Sequence, residues 1–120
     1  MSTLRNAIRA AMHKTPGDGS ANTPGEIFSF CFPPDSPVFA GHFPSKPVLP
    51  AVVQIMMVEE ALATLEHSTQ LQGVRQAKFL SPIGPNLPLE LRLACTTFPT
   101  VQASIASPLG LAAKLQLDVA

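Results

Sequence analysis

The stretch FAGHFPSKPVLPAVVQIMMVEEALATLEH, Phe39 to His67, decides the fold. It opens with prolines at Pro44, Pro47 and Pro50. Proline fixes φ and lacks an N–H, so this spacing excludes a helix interior or a central strand and reads as a stiff loop. Pro50 suits the start of a helix, where a missing donor costs nothing. From Ala51 to Val58 almost every residue is apolar, which predicts a helix buried on all sides over its first two turns. Polar residues return at Glu59, Glu60, Thr64, Glu66 and His67, so the last turns are expected to surface. The helix should run from Ala51 to about Leu65, entered through a rigid loop carrying His42, with something wrapped around it.

The flanking sequence supplies the wrapping. Residues Ser2 to His13 read as an amphipathic helix, with Leu4, Ile8 and Met12 recurring on one face and Arg5 and Arg9 on another, solvated one. Thr15 to Gly25 is rich in Pro, Gly, Ser and Asn and reads as a loop. Glu26 to Phe32 alternates as a strand with Phe28, Phe30 and Phe32 on one face, and Val38 to Gly41 reads as a short extended piece. Four more strands are expected: Gly73 to Leu80, Leu87 to Thr97, Thr100 to Ala106 and Leu111 to Val119. In the last, Leu111, Ala113, Leu115, Leu117 and Val119 should face inward. Short turns between strands predict an antiparallel meander with one apolar face, which the helix after Pro50 must cover. The expectation is α+β, one domain over residues 1–120, with 1–25 as an N-terminal helix and loop.

Composition narrows the function. The 120 residues carry no net charge, only 13% are charged, and there is neither Trp nor Tyr. That argues against nucleic acid, which needs a basic footprint and stacking surfaces. Cys31 and Cys95 stand singly in apolar runs and read as buried thiols of a reducing compartment. No charged n-region leads into an apolar h-region, and the helix is too short and too acidic at its end to span a membrane, so a cytoplasmic domain is expected. No metal-ligand spacing is visible, and no cofactor is implied.

The loop HFPSKPVLPA resembles the signature of the hot-dog-fold 3-hydroxyacyl-acyl-carrier-protein dehydratases, His-Phe-Pro-Gly-x-Pro-x-x-Pro-Gly, at His42, Phe43, Pro44, Pro47 and Pro50. The preceding Phe39-Ala40-Gly41, and Ala77-Lys78-Phe79 with Pro82 and Pro85, are similar to neighbouring family patches. The resemblance implies a sheet wrapped around one long helix, chains paired edge to edge in a homodimer or higher oligomer, and active sites built from two chains. It implies a lyase acting on acyl thioesters, carried on acyl carrier protein or coenzyme A, in fatty-acid or polyketide-type biosynthesis. The sequence departs from the signature at Ser45 and Ala51, which replace its glycines. It departs more seriously at Met56, where the family places its helix carboxylate.

The chemistry needs a base for the α-proton, a donor to the thioester oxygen and an acid for the departing hydroxyl. His42 suits the first. The N–H of Ala51 at a helix N-terminus suits the second. A thioether cannot supply the third. Glu60 lies one turn beyond Met56 on the same face, and two readings of it stand: an acid whose pKa is raised in an apolar tunnel, or the first residue of a solvated helix end. Glu59 is the weaker alternative. Phe43, Pro50, Gln54 and Met56 are the expected substrate-side residues, with Gln54 roughly opposite Met56 and in need of a hydrogen-bond partner. Lys46, Arg75 and Lys78 form a weak basic patch for an acidic carrier. The rival readings are a non-catalytic acyl-thioester-binding or partner subunit, and a hot-dog thioesterase. The latter also needs the missing helix carboxylate.

Overall fold

A computed structural model describes residues 3–15, 26–39, 47–64, 71–97 and 100–119. In chain order these form helix α1 (Thr3–Ala11), strands β1 (His13–Thr15) and β2 (Glu26–Phe30), a single 3-10 turn (Pro37–Phe39), helix α2 (Ala51–Ala63), and strands β3 (Leu71–Phe79), β4 (Leu89–Thr97), β5 (Thr100–Ser107) and β6 (Gly110–Val119). The strands join in one antiparallel sheet in the order β1-β2-β4-β5-β6-β3. The expected α+β architecture is present.

Alternation in the sequence becomes a two-faced sheet. Phe28, Phe30, Leu91, Leu93, Val101, Ala103, Ile105, Leu115 and Leu117 point inward. They form one buried cluster with Val53, Met57, Val58, Ala61 and Leu62 of α2. Helix α1 closes this core from outside. Its Ile8 is fully buried, and the helix packs on α2, the 3-10 turn and β2.

Five expectations are corrected. The meander holds only for β4-β5-β6, because β3 pairs with β6 at the far edge instead of lying beside β4. Leu111 points outward, because a register shift sets Ala106 against Leu111 after Ile105 has paired with Ala113; such a bulge inverts the alternation beyond it. Cys31 lies past the end of β2 and is exposed. Pro37–Phe39 makes a 3-10 turn in place of extended chain. The covering of α2 departs in part from what its apolarity predicts, although Val53, Gln54, Met57 and Val58 are buried as expected. Ala51 and Val52 in its first turn are exposed, Val52 by 60%, while Glu60, Ala61 and Leu62 near its end are buried. Glu60 is buried because Arg5 and Arg9 of α1 lie over it, while Ala63 and Thr64 beyond it are exposed as expected.

Candidate functional site

The loop that carries the motif departs from Phe39 and returns at Pro47, and both approaches are fixed. On the departing side Ser36 N–H donates to the Pro33 carbonyl at 3.0 Å, and Phe39 N–H donates to that of Ser36 at 3.1 Å. The ring of Phe39 sits edge-on to Phe32, centroids 6.5 Å apart, and Phe32 stacks on Phe30 at 6.0 Å. On the returning side Leu49 N–H donates to Ile83 C=O at 2.8 Å. Ile83 is the buried residue of the otherwise open turn after β3, and Asn86 of that turn donates its N–H to Phe32 C=O at 2.7 Å. Asn86 has φ of 60°, which Asn tolerates better than most residues. One turn therefore holds both stems of the motif loop. His42, Phe43, Ser45 and Lys46 themselves lie outside the described residues.

Pro50 caps α2 with φ −66° and ψ 153°, and its carbonyl accepts from Val53 N–H and Gln54 N–H. The first N–H groups of any helix have no intrahelical acceptor, so the entry of α2 presents donors beside the motif loop. Ala51 does not have a positive φ, so an alanine in place of the signature's second glycine leaves that donor usable.

On α2 the side chains divide sharply. Val52, Ile55, Met56 and Glu59 follow helical spacing and form a stripe that is exposed or half-exposed. Met56 therefore sits on the open side of the helix. Gln54 is 4% exposed on the opposite side. Its Nε2 donates to Leu49 C=O at 3.4 Å, while its Oε1 has no partner. Gln54 thus ties the first turns of α2 to the returning stem of the loop.

Glu60 is 5% exposed, but not in an apolar tunnel. Its Oε2 accepts from Arg5 Nη1 at 2.8 Å and its Oε1 accepts from Arg9 Nε. Arg5 reaches Glu59 as well, at 3.2 Å. Burial pushes the Glu60 carboxyl up and is the largest single influence. The hydrogen bonds and charges of Arg9 and Arg5 together outweigh it, and the net shift is downward. Neither reading of Glu60 is met: it is not a raised acid in an apolar tunnel nor a solvated residue of the helix end, but a buried, ionised carboxylate, and the expected solvated face of Arg5 and Arg9 is an ion-pair cluster. The arginines stand four apart on α1, a spacing that places them on one face. That was the only signal in the sequence, and it did not name a partner more than fifty residues away.

An antiparallel sheet with one long helix against its apolar face, entered through a Pro-rich loop, is the hot-dog fold, and solved structures agree. A chain of the dehydratase heterocomplex ApeI:P from Xenorhabdus doucetiae superposes with a TM-score of 0.75 at 21% identity, covering 89% of this chain and 93% of that one. The dehydratase domain from the CurF module of curacin polyketide synthase superposes with a TM-score of 0.71 at 15% identity, over 90% of this chain and 42% of that one. A family model described as ApeI dehydratase, ApeI-like, matches residues 20–105, and the chain belongs to that family. Among curated relatives, the 3-hydroxyacyl-[acyl-carrier-protein] dehydratase FabZ of Anaeromyxobacter sp. is 36% identical over 73 residues, which are 52% of this chain and 47% of that protein. The FabZ of Polaromonas naphthalenivorans is 36% identical over 62 residues, 42% of this chain and 43% of its own. The matches thus span about half the length of the curated relatives. No helix among the described residues is long and apolar enough to cross a membrane.

Proposed function

We propose that the chain is the base-bearing subunit of a 3-hydroxyacyl thioester dehydratase, a lyase whose acid comes from a different chain. Family membership supports the reaction class. The observation that carries the division of labour is the pair of side chains on α2. Met56 stands where the resembled family has its carboxylate, and Glu60, the nearest buried substitute, is ionised between two guanidiniums. In this reading His42 takes the α-proton, and the C–H electrons move onto the thioester oxygen against the N–H groups at the entry of α2. They return to form the α,β double bond as the β-carbon–oxygen bond breaks. The hydroxyl leaves as water with a proton from an acid, and this chain offers none at position 56.

A second copy of the chain would bring a second Met56. A non-identical hot-dog chain with a carboxylate at that place would complete one site. The open stripe Val52, Ile55 and Met56 suits cover by a partner's helix, and the edge strand β3, with Val74 and Phe79 exposed, suits strand pairing. The Xenorhabdus protein in the comparison is itself a heterocomplex. The substrate in this proposal is an acyl thioester on acyl carrier protein or coenzyme A, and the setting is the cytoplasm. The reading as a non-catalytic binding subunit is favoured by the same Met56. Turnover of a 3-hydroxyacyl thioester by the complex with and without His42 separates the two. His42→Ala should lower turnover by at least about 10²-fold with the fold intact, whereas unchanged turnover would remove His42 from the chemistry.

A further inference from the structure

On the solvent face of the sheet, strand register builds two rows. Arg92 of β4 lies opposite Ser104 of β5, Ser104 opposite Lys114 of β6, and Lys114 opposite Lys78 of β3. One step along the strands, Ala94, Gln102, Gln116 and Gln76 form the parallel row. These residues line a depression of about 440 Å³, shallow over the short Ser104 and Ala94 and walled by the long side chains. Three cations, three amides and a hydroxyl thus converge, with Glu26 the one carboxylate among the described lining residues.

The nearby acids are engaged at the rim. Glu90 accepts from Arg92 at 2.7 Å, Asp118 from Arg75 at 2.6 Å, and Glu26, which also lines the depression, pairs with Lys14 at 3.4 Å. Lys78 and Lys114 have no ion pair among the described residues. Like charges directly opposite on neighbouring strands destabilise a sheet, and solubility alone is served as well by alternating signs. An anion set between the two lysines removes that repulsion.

We propose that this face is a binding site for a phosphorylated small molecule, distinct from the α2 site on the other side of the sheet. Phosphate oxygens would lie between Lys78 and Lys114, with Arg92 at the far end of the row, and the glutamines would take the hydroxyl or amide groups of the remainder. A depression floored by small residues fits a small molecule better than the flat face of a protein, and its volume is in the range of ligand pockets.

The test is isothermal titration of the full chain with inorganic pyrophosphate at low salt. Binding below about 1 mM is expected, weakening as salt screens the lysines. The double variant Lys78→Gln, Lys114→Gln should lose at least about tenfold in affinity while its melting temperature holds or rises, because a repulsive pair has gone. Arg9→Gln, on α1 at the other side of the sheet, should bind like the parent. No binding by about 10 mM, equal affinity in the double variant, or an equal loss in Arg9→Gln would each overturn the site.

Discussion

Glu60 has two carboxylate oxygens, and each accepts from a different arginine of α1. Removing the charge alone, as Glu60→Gln, takes a carboxylate from Arg9 and one of two from Arg5, which keeps Glu59. Both arginines are partly exposed and can rehydrate, so the cost is below that of breaking a fully buried pair, about 1–3 kcal/mol in a denaturant titration. The carboxyl is depressed in the folded state. Its contribution is therefore present above the ordinary carboxylate range and is lost as pH falls through the lower folded value. Below about pH 4 the wild type should lose stability more steeply than Glu60→Gln, and parallel acid melts of the two would contradict the ion-pair assignment. On activity the variant should change turnover by no more than its stability loss explains. A fall of about 10²-fold at unchanged stability would return Glu60 to the role of acid.

At the scale of elements, α1 is a structural part of the site side of the molecule. Ile8 fills a closed space between α2, the 3-10 turn and β2. Ile8→Ala should cost about 2–5 kcal/mol by chemical denaturation, and a loss under 1 kcal/mol would mean that α1 is only loosely docked. The strands were legible because Leu89, Leu91 and Leu93, and again Val101, Ala103 and Ile105, alternate without interruption. The edge position of β3 was not, since strand order is set by contacts between residues far apart in sequence. The bulge opposite Ala106 left no mark in Leu111-Ala112-Ala113, three apolar residues that fit either phase. For the candidate site, the start of α2 at Ala51 behind Pro50 was legible from local rules. Glu60 was not, because the arginines that fix its charge belong to a helix more than fifty residues upstream.

At the scale of the molecule, α2 is half clothed. Glu60 near its end is covered by α1, while Val52, Ile55 and Met56 stay partly open to solvent. An all-apolar helix start reads as buried from sequence, and the structure leaves room for the cover to come from another chain. Val52 is 60% exposed in the single chain, so Val52→Asp should leave the fold and its melting temperature nearly unchanged but weaken assembly. Sedimentation of the assembled complex at micromolar concentration should show the variant shifted toward free chain relative to the parent. Equal sedimentation of the two would place the assembly surface elsewhere.

The central claim is that this chain brings the base and lacks the acid at the position held by Met56. The direct measurement is turnover of a 3-hydroxyacyl thioester by the chain alone, as wild type and as Met56→Glu. The wild type alone should be slow, and Met56→Glu should raise turnover by about 10²-fold or more, in a manner abolished by adding His42→Ala. A wild type that is already fast alone, and that Met56→Glu leaves no faster, would contradict that claim.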